Sequence, residues 1–304
     1  MSPDVVILAG GTGGAKLARG LLDVVGGARL SVIANTGDDV DIYGAHVSPD
    51  PDLVAFWLAD RIDERGWGLR DDTFAVMDAL RELGVDVWFH LGDRDLAWCL
   101  ERRRLRDEEG IGATAALERL LPRLGVEARV LPMSDDPVHT WVRRAGEWRP
   151  FQEFMIRDRA GGPIEGVEFR GAEGARATAA VLEAIEGAGA IVIGPSNPVI
   201  SIAPILAVPA LREALAAAAA PVVAVSPIVG GRAVKGPTAE FMRQAGVPVS
   251  ADGVVELYDG LLDGVVADEP VDGLPSLRTD LRMDGADGRR RLADETLRFA
   301  RGLA

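Results

Sequence analysis

Cysteine occurs once, at Cys99, in a chain of 304 residues. A single thiol excludes an intrachain disulfide framework and any cysteine-rich zinc site, and its apolar neighbours, Leu96-Ala97-Trp98-Cys99-Leu100, place it in a core. Histidine is also scarce, and His46, His90 and His139 show no metal-ligand spacing. No apolar run reaches membrane-span length, and no basic region precedes the first apolar segment, so neither a span nor a signal peptide is expected and the cytoplasm is the expected compartment. A formal net charge of -14 excludes nonspecific attraction to nucleic acid or to an anionic membrane. Lysine appears only at Lys16 and Lys235, both in glycine-bearing segments, while arginine is used freely. There a compact ammonium can act where a planar guanidinium cannot.

What is present is a core-forming chain, 48% hydrophobic, with a repeated pattern of short apolar run, polar end and helix-like segment. Val5 to Ala9 opens into Gly10-Gly11-Thr12-Gly13-Gly14-Ala15-Lys16. Leu30 to Ala34 opens into Asn35-Thr36-Gly37-Asp38-Asp39. Val85 to His90 ends in Leu91-Gly92-Asp93-Arg94-Asp95, Ala190 to Ile193 in Gly194-Pro195-Ser196-Asn197-Pro198, and Pro221 to Val225 in Ser226-Pro227-Ile228-Val229-Gly230-Gly231. Runs this short read as buried parallel strands, and alternation with helices predicts an α/β, Rossmann-like three-layer fold whose ligand site gathers at the carboxyl edge. Residues 1–106 and 173–304 are the expected core. Helix-like Ile111 to Leu124, followed by a hairpin of Val138 to Arg144 and Trp148 to Ile156, suggests a small α+β insertion over 107–172 capping that edge. Asp268 to Gly288 is rich in turn residues and reads as a mobile stretch. Arg102-Arg103-Arg104 and Arg106 read as the solvated face of a helix.

The opening glycines match neither common phosphate pattern. Ala15 stands where the phosphate loop needs glycine, and Leu17 where it needs Ser or Thr; the dinucleotide fingerprint would need its third glycine at Lys16. The general physics remains, because glycines let a backbone approach a phosphate and the following helix adds the positive end of its dipole. Asp38, Asp39, Asp41, Asp50 and Asp52 form the densest acidic cluster near a strand end. Such a cluster calls for a hard cation, and magnesium with one or two carboxylates and substrate oxygens is the natural candidate. Asp38, directly after Gly37, is the better ligand of the first pair, with Asp39 turned to solvent. Ser48-Pro49-Asp50-Pro51-Asp52 also reads as a helix N-terminus with Pro51 at its first position.

Taken in order, these segments, with His46-Val47-Ser48-Pro49-Asp50 and Lys235-Gly236-Pro237-Thr238, resemble the 2-phospho-L-lactate transferase family over nearly the whole chain. The resemblance implies a magnesium-dependent transferase of coenzyme F-420 biosynthesis. It would move a phospholactyl or phosphoenolpyruvyl group from a guanosine diphosphate-linked donor to the ribityl hydroxyl of 7,8-didemethyl-8-hydroxy-5-deazariboflavin and release GMP. It further implies that Asp38 and Asp50 are catalytic magnesium ligands and that Asp50 and Arg94 contact the deazaflavin. Gly11, Thr12, Gly13, Gly14, Lys16, Gly194, Ser196, Asn197, Ser226 and Lys235 would hold the nucleotide, in a homodimeric protein. The opening glycines are also similar to those of sugar nucleotidyltransferases and some glycosyltransferases, which would bring an arginine in place of Ala15-Lys16 or a histidine after Gly14. A noncatalytic nucleotide-binding relative is the alternative from another class; Asp38, Asp50 and Arg94 together argue for a catalyst.

Overall fold

The computed structural model describes residues 4–234 and 236–304, so Lys235 lies outside the described residues. Its centre is a seven-stranded parallel sheet. From one edge to the other the strands are Ser276–Arg278, Gly264–Ala267, Val222–Val225, Ala188–Ile193, β1 (Asp4–Ala9), β2 (Leu30–Ala34) and Arg129–Pro132. The runs read as strands from the sequence are apolar on both faces because both faces are covered. Val5, Ile7 and Ala9 join one core with helix α1 (Gly11–Val25) and the C-terminal helix Gly285–Arg301, while Val6 and Leu8 join the other. The chain works outward from β1 through β2 to Arg129–Pro132, then returns to lay Ala188–Ile193 on the other side of β1. Strand order reverses between these two neighbours, and the crevice above a reversal is where such sheets take ligands.

Several expectations need correction. Val85 to His90 is not a strand. Its backbone joins no ladder: Val85 N–H donates to Leu80 O and Trp88 N–H to Asp86 O, while Phe89 N–H donates to the distant Tyr43 hydroxyl at 3.1 Å. The apolar positions that mimicked a strand are side chains of a loop resting on the core, with Phe89 buried and Val87 half-buried. Gly92 to Asp95 therefore opens a helix, α4 (Asp93–Glu109), which follows α2 (Pro49–Leu58) and α3 (Ala75–Glu82) in the chain.

Within 107–172, Arg129–Pro132 pairs with β2 as the edge of the main sheet, so the separate layer is narrower than expected. It is the antiparallel sheet of Glu147–Pro150, His139–Arg144 and Gly166–Arg170. The expected second arm of the hairpin ends at Pro150, which lacks the N–H to extend a ladder. Phe151–Ile156 is helical, and the spacing of Phe151 and Phe154 turns both rings onto Val142 and Phe241. The turn-rich stretch from Asp268 contains the edge strand Ser276–Arg278 and the first turn of the C-terminal helix. Among the described residues no single helix is long and apolar enough to cross a membrane.

The arginine face of α4 is not wholly solvated. Arg102 is 2% exposed, and its guanidinium grips both oxygens of the buried Asp52 carboxylate and donates to His46 O at 2.7 Å. Trp98 Nε1 donates to the same carboxylate at 2.8 Å. This pair ties α4 to the first turn of α2 and to the segment before it. Removing one partner leaves an unpaired charge in the core. Arg102→Met should accordingly lower the unfolding free energy by about 3–5 kcal/mol in denaturant titrations, whereas Arg103→Ala, at a pair open to water, should cost less than about 1 kcal/mol.

Candidate functional site

The site grows from the ends of β1, β2 and Ala188–Ile193. After β2 the backbone enters the turn Asn35-Thr36-Gly37-Asp38-Asp39 and then a short antiparallel hairpin, Val40–Ile42 against Ala45–Val47. Tyr43 and Gly44 form its two-residue turn with φ of 51° and 76°, the left-handed geometry that matches strand twist. The hairpin sends the chain back alongside the Asp38 turn, where Ser48 Oγ donates to Asp39 Oδ1 at 2.7 Å. Helix α2 then starts one residue after Ser48, with Pro49 rather than Pro51 at its first position, so Asp50 and Asp52 both stand in the first turn. A twelve-residue separation in sequence thus becomes a shared site for Asp38 and Asp50.

Asp50 is held from two strand ends. Gly11 N–H donates to its Oδ1 at 2.6 Å and Asn35 Nδ2 to its Oδ2 at 2.9 Å, while Asn35 Oδ1 accepts from Gly37 N–H at 2.8 Å. Gly11 presents that N–H at φ 62°, a geometry that disfavours other residues. The neighbouring glycines allow close approach of the two central strand ends. A Cβ on Gly13 would enter the Pro195 carbonyl, and one on Gly14 would meet Ser196 Oγ at 2.6 Å. Asn35 carried no separate assignment in the sequence reading; its place after β2 in the asparagine-threonine-glycine turn was the available signal.

These elements enclose a cavity of about 350 Å³. Of the residues expected at a nucleotide, Gly11, Thr12, Gly13, Lys16, Ser196, Asn197 and Ser226 line it, as do Asp38 and Asp50. Gly14 and Gly194 pack behind the lining, where a Cβ on Gly194 would lie 3.0 Å from Leu8 O. Helix α1 points its N-terminus at this space with no acidic residue in its first turn, which leaves the positive end of a fifteen-residue helix toward the cavity. Asn197 caps the next helical turn through Oδ1, which accepts from Val199 and Ile200 N–H, and its buried Nδ2 has no hydrogen-bond partner. Lys16 Nζ lies 5.8 Å from the Trp57 ring centre. Arg94 is not brought in: it is exposed on the first turn of α4, outside the lining of any cavity described here.

A second cavity, about 530 Å³, lies on the other side of Asp50. Its walls are mostly flat and apolar, among them Phe56, Trp67, Trp88, Phe89 and Phe151, and Asp50, Asp52 and Asp95 are its carboxylates. Asp50, Phe151 and Met155 line both spaces. No local pattern in the chain signals this cavity, because its walls come from α2, the 67–95 region and the helix after Pro150.

Charge at the floor is poorly balanced. Burial, then the adjacent Asp50 charge, push the Asp38 carboxyl well above the ordinary carboxylate range, and its Oδ1 is buried without a hydrogen-bond partner. Burial raises Asp50 to about 6, against the opposing effect of hydrogen bonds from Asn35 and Gly11. Asp39 is not simply turned to water: besides Ser48 it meets His46 Nε2 at 3.2 Å. A hard divalent cation fits this donor set, since it would occupy the open lone pairs of Asp38 and Asp50 and offset their repulsion.

Fold and cleft together define an α/β protein with an amide-lined crevice at a strand-order reversal, an architecture common among enzymes that take their ligands there. A family model described as 2-phospho-L-lactate transferase CofD matches residues 5–282, and the chain belongs to that family. It is 41% identical over 266 residues to the 2-phospho-L-lactate transferase of Methanosarcina mazei, covering 87% of each chain. It is 44% identical over 271 residues to the phosphoenolpyruvate transferase of Streptomyces coelicolor, covering 87% of this chain and 85% of that one. A crystal structure of a UPF0052 family protein from Bacillus halodurans superposes with a TM-score of 0.67 at 18% identity, over 98% of this chain and 99% of that one, a likeness of fold.

Protons would compete with a bound magnesium for the same oxygens, so its affinity should strengthen as pH rises through about 6 and onward while Asp38 loses its proton, by up to about tenfold per unit where one proton is displaced. The sign for stability is opposite in the metal-free protein. A carboxyl with a raised folded pKa holds its proton where the unfolded chain has lost it, so its contribution falls as pH rises from about 4 through about 6. Added magnesium should therefore raise the melting temperature more at about pH 8 than at about pH 5; calorimetry at the two pH values checks both directions.

Proposed function

We propose that the chain is a magnesium-dependent transferase of coenzyme F-420 biosynthesis. It would carry a phospholactyl or phosphoenolpyruvyl group from a guanosine diphosphate-linked donor to the ribityl hydroxyl of 7,8-didemethyl-8-hydroxy-5-deazariboflavin, with GMP leaving. The observation that carries this reading is the position of Asp50, a buried carboxylate in the wall between an amide-lined cavity and an aromatic one. An anionic diphosphate suits the first, where α1 directs its N-terminus and where Lys16, Ser196, Asn197 and Ser226 stand. A planar heterocycle suits the second. The two ligands then meet at Asp50, so that the acceptor hydroxyl approaches the distal phosphorus of the donor from the side opposite the leaving GMP.

Asp38 and Asp50 would hold magnesium. Bound there, the ion would draw negative charge from the diphosphate as the phosphorus–oxygen bond to GMP breaks. The chain's own contributions are positional and electrostatic. The Gly11 to Gly13 backbone and α1 orient the diphosphate, Asn197 Nδ2 offers an unused donor, and Phe151 with Met155 shields the junction from water. A carboxylate that ligates magnesium is a poor base, so Asp50 is assigned to orientation and metal binding. The similarity to both lactyl- and enolpyruvyl-named relatives leaves both donors within the proposal.

Purified protein incubated with the deazaflavin and each of the lactyl, enolpyruvyl and glyceryl donors should give a phosphodiester product by mass spectrometry with at least one donor, and only with magnesium. Absence of product from all three donors overturns the reading. Asp50→Ala should retain the fold by circular dichroism and lose about 100-fold or more in kcat; an unchanged rate would remove Asp50 from the site.

A further inference from the structure

Among the polar side chains of the aromatic cavity, which include His90 and Gln152, Asp95 is a buried carboxyl that the proposed reaction leaves unused. It lines the cavity from the first turn of α4 and is 7% exposed. Its Oδ1 receives only a long contact from Cys99 Sγ, 3.9 Å away. Its Oδ2 lies toward Gly68, another lining residue, where an added Cβ would stand 3.8 Å from it. The backbone N–H of Asp95 is bound by Asp72 Oδ2 at 3.1 Å, which holds the residue in place while leaving the side chain available.

The surroundings decide what that side chain can be. No lysine or arginine lines the cavity among the described residues, and the nearest guanidinium, Arg102, is committed to Asp52. From α2 the Asp52 carboxylate faces Asp95, from the preceding loop Asp72, and from α4 itself Cys99 and Arg102. His90 lines the same space, but burial and then Arg81 lower its pKa, so it brings no positive charge at neutral pH. Burial first, and then the Asp52 charge, raise the Asp95 carboxyl to about 7. A neutral acid in an apolar cavity is a hydrogen-bond donor, as an ionised one is not.

We propose that Asp95, a buried carboxyl in the wall of the acceptor cavity, is a specificity-determining residue that donates a hydrogen bond to an acceptor atom, a carbonyl oxygen or ring nitrogen, of the planar heterocycle. This assignment rests on the reading of the aromatic cavity as the deazaflavin site. It gives a mostly apolar pocket a means of orientation, because the Trp67, Trp88 and Phe89 walls accept any flat ring and a buried donor at a fixed place discriminates among the edges that ring presents.

The test compares deazaflavin binding by equilibrium dialysis for the wild type, Asp95→Asn and Asp95→Ala at about pH 5.5 and about pH 8.5. The asparagine keeps the size and an N–H donor but cannot ionise; the ring's own titration is common to all three proteins. Wild-type affinity should fall about tenfold more between the two pH values than that of Asp95→Asn. Asp95→Asn should bind within about threefold of the wild type at the lower pH, and Asp95→Ala about tenfold more weakly there. If the alanine variant does not fold, the wild-type and asparagine pair still decides. Identical pH dependence in that pair, or tighter wild-type binding at the higher pH, overturns the role of Asp95 and leaves the transferase reading standing. Failure of the wild type to bind deazaflavin at either pH overturns both.

Discussion

The Asp50 carboxylate is the interaction on which the rest of the site depends. It takes a hydrogen bond from the end of each of two strands, through Gly11 N–H and the Asn35 amide, and it stands in the first turn of α2. Three chain segments are therefore aligned on one buried charge. Geometry alone would make it structural. Its place in the wall shared by the two cavities opens it to both spaces.

Keeping that charge buried shapes what surrounds it. Asp38 and Asp50 repel one another and carry raised pKa values, whereas Asp52, two residues on, is matched by Arg102 and a tryptophan N–H. The same short stretch of chain thus contains an ion pair that ties helices together and an unmatched pair suited to a cation. Balance comes from different sources: a fixed guanidinium for Asp52 and, in the proposed reading, an exchangeable cation for Asp38 and Asp50. Asp95 represents a third case, in which burial and the Asp52 charge raise the carboxyl to about 7 and so favour its neutral form.

Parallel strands with polar carboxyl ends were legible in the chain because their signal is local. Val5 to Ala9, Leu30 to Ala34 and Ala190 to Ile193 are apolar at every position but Ser31, as suits strands covered on both faces. Val85 to His90 shares part of that texture, yet a strand also needs a neighbour to bond, and none is paired with it. The helix after Pro150 escaped notice for the converse reason: its six residues are too few for a helical period to stand out from strand alternation. The Tyr43-Gly44 hairpin, with strands of three residues, was equally quiet, although it is what sets Asp38 beside Asp50.

By itself the sequence determined the layered α/β class, the glycine ends of the strands and the acidic floor, since apolar runs, turn chemistry and charge density are properties of neighbouring residues. Tertiary structure alone decided which charges are buried and with what partner. Arg102 looks solvent-facing beside Arg103 and Arg104, and becomes a core residue only because Asp52, fifty positions earlier, folds against it. Arg94 and Asp95 are adjacent in sequence, yet one is exposed and the other lines the aromatic cavity. The physical reason is the same in both cases. The free energy of a charge depends on its solvent and on the charges nearby, and both are set by long-range packing that no local pattern records.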